Sequence, residues 1–104
     1  DESVHTVADI PRLANLYDMI NIKLDKTGGL TGALELAEAA SKAGMQIMTG
    51  CMVGTSLAMA PAMIIGAMSR IVDLDGPIWM AKDRDHALTF KNGVMGLPDR
   101  ALWG

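Results

Sequence analysis

An α/β chain of repeated strand–helix units is what this sequence predicts, and three observations carry the prediction. Three apolar stretches end abruptly on residues that suit chemistry better than packing: Met19-Ile20-Asn21-Ile22-Lys23, Gln46-Ile47-Met48-Thr49-Gly50-Cys51 and Arg70-Ile71-Val72-Asp73-Leu74-Asp75. A fourth such ending, Asp1-Glu2-Ser3, opens the chain. The endings at Asp1, Lys23, Gly50 and Asp73 are 22, 27 and 23 positions apart, the rhythm of a strand, a helix and their turns. In a (β/α)8 TIM-type barrel all strand C-termini open on one face, where the chemistry sits. A partial barrel is therefore expected, forming one side of an active site.

Each element has its own signal. Val7 to Tyr17 predicts a short helix with Pro11 in its early turns and Asp9 as N-cap, since the first turn tolerates proline. Met19 to Lys23 predicts a strand, with Asn21 and Lys23 on one face and Ile20 and Ile22 on the other. Leu30 to Ala43 is the clearest helix: Glu35, Glu38 and Lys42 share an outer face, Ala33, Leu34 and Ala37 line another, and Gly44 stops it. Met45 to Thr49 predicts the next strand. Leu57 to Ser69, with Thr55 or Ser56 as cap, predicts a helix apolar nearly all round and so buried on several sides. Ile71 to Leu74 predicts the last strand of this type, with Asp73 and Asp75 pointing the same way. Beyond Gly76-Pro77, Ala87 to Phe90 and Val94 to Leu97 flank Lys91-Asn92-Gly93 as a hairpin with an Asn-Gly turn. One domain over 1–104 is expected, with βα units over 1–76 and a tail and hairpin over 77–104.

Composition narrows the classes. At 104 residues the chain is under half of the about 250 that a full barrel needs. It is 50% hydrophobic but only 4% aromatic, with nine methionines, so its core is aliphatic and some apolar surface is expected to be covered by other chain. A net charge of −3 with scattered basic residues argues against nucleic-acid binding. The longest apolar run, Leu57 to Met68, is interrupted by Pro61 and Gly66 and is too short to span a bilayer. The single cysteine excludes an internal disulfide and fits a reducing, cytoplasmic setting.

Several residues stand out, each with a plainer reading beside the chemical one. Lys23 ends an apolar strand, where lysine is uncommon unless paired or catalytic; the plainer reading is a strand-end lysine reaching solvent. Asp73 and Asp75 bring two carboxylates onto one face, where they repel unless a cation or ammonium lies between them; the plainer reading is a polar turn before Gly-Pro. Asp1 alone is a weak metal-ligand signal. Cys51 reads first as a packing residue, because no histidine is placed to activate it. His5 and His86 read as ordinary loop residues. Lys26-Thr27-Gly28-Gly29 has phosphate-loop composition without the G-x-x-x-x-G-K-[ST] order and is discounted.

Together, Asp1-Glu2-Ser3, the run Asn21-Ile22-Lys23-Leu24-Asp25-Lys26-Thr27-Gly28-Gly29-Leu30, then Gly50-Cys51-Met52 and Asp73-Leu74-Asp75-Gly76-Pro77 resemble the enolase superfamily. Within it the chain is most similar to the muconate-lactonizing subgroup, and there to dipeptide epimerases of the L-Ala-D/L-Glu type. The lysine motif marks the subgroup, and the Asp-x-Asp narrows it to dipeptide epimerases. The resemblance runs along essentially the whole chain and implies the C-terminal portion of a longer enzyme, about strands six to eight of its barrel. It implies that Asp1 is a Mg2+ ligand and that Lys23 is the base acting on the (S)-configured α-carbon. It further implies that Cys51, Met52 and Val53 approach the dipeptide, and that Asp73 and Asp75 hold its α-ammonium. The implied reaction is a 1,1-proton transfer through an enediolate, with Mg2+ as Lewis acid. Two further metal ligands and the opposing lysine are absent from the chain, so alone it is expected neither to fill a Mg2+ site nor to complete the transfer. Two rival readings remain. One is a sister activity (N-succinylamino-acid racemase, o-succinylbenzoate synthase or muconate cycloisomerase), which Asp73 and Asp75 disfavour because those substrates lack a free α-ammonium. The other is a non-catalytic half-barrel that self-associates as a homo-oligomer or joins the rest of a barrel.

Overall fold

The computed structural model describes residues 2–104 and has at its centre a parallel sheet of three strands in the order β1-β2-β3. The strands are β1 (Met19–Ile22), β2 (Gln46–Thr49) and β3 (Ile71–Val72). Ile22 lies beside Thr49, and Thr49 beside Val72, so all three reach the same edge in register. After β1 come a one-turn helix α2 (Leu24–Thr27) and the helix α3 (Leu30–Lys42); α4 (Ser56–Gly66) follows β2.

Period-two burial in the strands decides which face the helices cover. Ile20, Ile22, Ile47 and Thr49 are buried beneath α3 and α4, whereas Met19, Asn21 and Met48 on the other face are only half-buried. The sheet is thus clad by helices on one face, and its second face is open. On α3 the inner stripe is Ala33, Leu36, Ala37 and Ala40. Leu34, expected on that stripe, is 38% exposed: the stripe follows the i, i+3, i+4, i+7 spacing from Ala33, and Leu34 falls outside it. The helix ends as Gly44 predicts, with the Gly44 N–H donating to Ser41 O and the Met45 N–H to Ala40 O, both at 3.0 Å.

Three expectations need correction. The Val7–Tyr17 helix is a 3-10 turn (Val7–Asp9) running into a single turn of α1 (Ile10–Leu13). Asp9 does not cap it as an N-cap. Its carboxylate turns back to accept the His5 and Thr6 N–H groups, each at 2.9 Å, with Thr6 at the cap position. These bonds, with Arg12 nearby, hold the Asp9 carboxyl below its ordinary value. The second correction concerns β3, which stops at Val72 because Asp75 already opens the 3-10 turn Gly76–Trp79 around Pro77. The third concerns α4, which ends at Gly66 rather than Ser69. The last residues continue as single turns, and Ser69 Oγ ties back to Ile65 O at 2.8 Å and lies 2.6 Å from Thr49 Oγ1.

The C-terminal segment is a second layer that props up the strand ends. Its hairpin is β4 (Phe90–Lys91) and β5 (Val94–Met95), turned by Asn92 (φ 51°) and Gly93 (φ 77°) as the Asn-Gly pair predicts. Leu88, Leu74, Met59 and Ala62 form its buried cluster, against which Leu102 packs. Among the described residues, no helix is long and apolar enough to cross a membrane.

Neither Thr55 nor Ser56 caps α4 with its own side chain. Asp83, 27 residues away in sequence, does so instead: Oδ1 accepts the Ser56 N–H at 2.9 Å and Oδ2 the Ser56 hydroxyl at 2.5 Å. The buried Ser56 Oγ in turn accepts the Leu88 N–H at 2.9 Å. Burial pushes the Asp83 carboxyl up, but the Ser56 donors and Arg84 outweigh it and leave it below the usual aspartate value. A carboxyl depressed in the folded state stabilises above the unfolded pKa of about 3.9 and loses that contribution as pH falls through the folded value. Replacing Asp83 by Ala should therefore cost about 1–2 kcal/mol at neutral pH. Thermal melts should show the difference from the parent shrinking below pH 4; a constant difference across that range would contradict the pinning role.

Candidate active site at the carboxyl edge of the sheet

Backbone bonds between neighbouring strands place the candidate residues. The Gly50 N–H donates to Ile22 O at 3.0 Å, and the Asp73 N–H donates to Thr49 O at 2.8 Å. Lys23, Gly50 with Cys51, and Asp73 therefore stand side by side on the carboxyl edge of three adjacent strands. Lys23 is extended (φ −119°, ψ 120°) and half-buried. Asn21, on the open face, rests over Gly50: a Cβ there would lie 2.6 Å from Asn21 Oδ1, so a side chain at Gly50 would displace the Asn21 amide.

The loops after β2 and β3 are pressed together at Gly76. A Cβ on Gly76 would come within 2.7 Å of Met52 O and 3.3 Å of Cys51 Sγ, so only glycine lets the Asp75-Gly76 turn approach Cys51 and Met52 this closely. Cys51 shows the resulting electrostatics. Burial pushes its thiol up, the Asp73 and Asp75 charges push it further, and the Gly76 N–H and Lys23 oppose them. With its pKa raised, the thiol stays protonated at neutral pH and is not activated as a nucleophile.

Asp73 and Asp75 are exposed and Leu74 between them is buried; Asp73 directly follows β3, whereas Asp75 has helical backbone angles (φ −81°, ψ 0°) at the start of the 3-10 turn. They border a groove of about 780 Å³ between the strand end and the hairpin, whose apolar wall includes Ile78, Phe90 and Val94. Asp75 Oδ2 accepts the Trp79 indole N–H at 3.0 Å. Met52 and Val53 are exposed on the β2 loop, at 47% and 68%. Asp1 lies outside the described residues. Its neighbour Glu2 pairs with Lys26 at 2.5 Å, which holds the Glu2 carboxyl down and ties Glu2 to α2. Among the described residues, no group of three or more His, Cys, Asp or Glu lies close enough to hold a metal ion.

The Asp75–Trp79 bond, the Lys26–Glu2 pair and the hairpin's place along the groove beside the aspartates are not foreseen in the sequence. Asp75 and Trp79 are four apart across a Gly-Pro turn, a spacing that brings the two side chains together once the turn is recognised. The Lys26–Glu2 pair carries no local signal, since 24 residues separate the partners.

The description of the enolase C-terminal domain-like family matches residues 1–102. The chain belongs to that family. It is 55% identical over its whole length to N-acetyl-D-glutamate racemase from Pseudoalteromonas sp, covering 33% of that protein. To the L-Ala-D/L-Glu epimerase of Escherichia coli (strain K12) it is 47% identical over 93% of its length, covering 30% of that enzyme. Among solved structures, an enolase family member from Agrobacterium tumefaciens with homology to dipeptide epimerases, with bound sodium and L-Ala-L-Glu, matches the whole chain at 49% identity and a TM-score of 0.96, covering 32% of that protein. A dipeptide epimerase from Methylococcus capsulatus, complexed with Mg and L-Arg-D-Lys, matches 95% of the chain at 32% identity and a TM-score of 0.83, covering 30% of that protein. The chain thus spans about a third of the length of the relatives it matches, all of them α/β proteins of one superfamily.

The Gly76 contact yields a specific expectation. Gly76→Ala should push the Asp75 turn off the Cys51-Met52 loop and expose the thiol. Labelling by a thiol reagent, followed at Cys51 by mass spectrometry, should then be several-fold faster than in the parent; unchanged labelling would show that the loops do not meet there.

Proposed function

We propose that this chain supplies about strands six to eight of a (β/α)8 barrel whose enzyme epimerises the α-carbon of an N-acylated glutamate, with a dipeptide such as L-Ala-Glu as substrate. The observation that carries this reading is that Lys23, the Cys51 loop and Asp73 follow the ends of three adjacent, in-register strands, with Asp75 beginning the turn that comes next. The open face of the sheet, and β3 with Ile71 and Val72 about half exposed, suit cover by the remainder of such a barrel.

The chemistry assigned to this chain's residues is limited and concrete. Lys23 takes the α-proton from the (S)-configured glutamyl carbon, or returns one to that face. Asp73 and Asp75 accept hydrogen bonds from the α-ammonium of the N-terminal residue, and that cation relieves their mutual repulsion. The backbone of Cys51, Met52 and Val53 flanks the peptide between these two ends. A Mg2+ ion, for which Asp1 is the ligand proposed in this chain, would supply Lewis-acid stabilisation of the substrate carboxylate in the complete enzyme. The group that acts on the opposite face of the carbon lies in another part of that enzyme.

A second reading has its own support. The relative at 55% identity is named for N-acetyl-D-glutamate, which is also a glutamate acylated on nitrogen but carries no ammonium on the acyl group. The carboxylate pair favours the dipeptide, because two unneutralised aspartates facing an acetyl group would gain nothing.

Proton NMR in D2O on the complete enzyme separates these readings. Lys23→Ala should abolish α-proton exchange from L-Ala-L-Glu while leaving some exchange from L-Ala-D-Glu; parent-rate exchange from both would make Lys23 structural. Asp73→Asn or Asp75→Asn should lower kcat/KM for L-Ala-L-Glu by roughly tenfold to over a hundredfold, the worth of a charge-assisted hydrogen bond of about 1.5–3 kcal/mol, and spare N-acetylglutamate. Equal losses on both substrates, or N-acetylglutamate as the better substrate of the parent, would favour the racemase reading.

A further inference from the structure

Within this chain Trp79 is 70% exposed and lies outside both buried clusters, and its indole N–H donates to Asp75 Oδ2 at 3.0 Å. The segment that presents it is stiff. Gly76 and Pro77 are buried, the Ile78 N–H donates to Asp75 O at 2.9 Å, and the Met80 N–H donates to Pro77 O at 3.1 Å. Proline fixes its own φ, so the backbone between Asp75 and Trp79 is restrained.

An exposed carboxylate such as that of Asp75 has a soft terminal torsion. A donor presented by the turn occupies one oxygen of Asp75 and leaves the other oxygen with a defined direction. Ordering the acceptor before the ligand arrives removes a cost that binding would otherwise carry.

We propose that Trp79 is a positioning residue that pre-orients Asp75, and thereby sets the preference for substrates whose acyl group bears an ammonium over those that lack one. The inference rests on the reading of Asp73 and Asp75 as the ammonium site. The indole acts through Asp75 and has no role at the reacting carbon.

The test uses the complete enzyme with Trp79→Phe, which keeps an aromatic ring and deletes the donor, alongside Asp75→Ala and the double variant. Three readouts are taken: kcat and KM for L-Ala-L-Glu, and the inhibition constant of N-acetyl-L-glutamate. Trp79→Phe should lower kcat/KM for the dipeptide about three- to tenfold, the range of one hydrogen bond, with the change in KM and kcat near the parent value. The inhibition constant of N-acetyl-L-glutamate should not move, and Trp79→Phe should have no effect once Asp75 is already Ala. If Asp75→Ala impairs the dipeptide selectively but Trp79→Phe does not, the positioning role is wrong and the ammonium site stands. If Trp79→Phe weakens the dipeptide and N-acetyl-L-glutamate alike, or adds fully to Asp75→Ala, Trp79 is structural. If Asp75→Ala has no selective effect, the ammonium site and this inference fall together.

Discussion

Two backbone hydrogen bonds at the ends of neighbouring strands, Gly50 N–H to Ile22 O and Asp73 N–H to Thr49 O, fix which residues share the working edge of this protein. Both continue the parallel ladder one step beyond the regular strands. Side chains in a strand alternate with period two, so a slip of one residue in either pairing would turn Lys23 or Asp73 toward the helices and bring their neighbours to the edge. The burial of Ile20, Ile22 and Ile47, with Thr49 bonded to Ser69, beneath α3 and α4 specifies that register, because any slip would drag the isoleucines out of the core and break that bond. Core packing and the placement of charge are thus one constraint seen from two faces of the sheet.

The loops add a second level of control. Once the register sets the strand ends side by side, the missing side chain at Gly76 lets the Asp75 turn close onto Cys51 and Met52. From the other side, the C-terminal segment holds the N-terminus of α4 through Asp83 and Ser56, and supplies the hairpin wall of the groove beside Asp73 and Asp75. The tail is therefore a support for the strand ends rather than an appendage.

How much was legible in the sequence follows the range of the forces involved. Helix α3, the β1 and β2 strands and the Asn92-Gly93 turn rest on local periodicity and turn chemistry, and all were readable. The strand-end residues were readable because apolar runs stop abruptly at Lys23, Gly50 and Asp73. What stayed hidden depends on partners distant in sequence: Asp83 standing in for a local cap at Ser56, Lys26 meeting Glu2, and the pressure of two loops at Gly76. The short β3 and the fragmented Val7–Tyr17 helix were misjudged for a different reason. Pro77 and the Thr6–Asp9 bonds impose tight turns where apolar pattern alone suggested longer elements.

The proposed role asks one edge to perform two tasks at a fixed separation, base chemistry at Lys23 and cation binding at Asp73 and Asp75, with the Cys51-Met52-Val53 loop between them. A peptide linkage joins an α-ammonium to the next α-carbon through a few bonds, so the two ends must be spaced by the sheet rather than by mobile side chains. A crystal structure of the complete enzyme with L-Ala-L-Glu bound tests that claim most directly. The expected result has the dipeptide's ammonium within hydrogen-bond distance of both Asp73 and Asp75 and the Lys23 amine facing the glutamyl α-carbon. A dipeptide bound with its ammonium away from this pair, or with Lys23 turned from the α-carbon, would contradict the account.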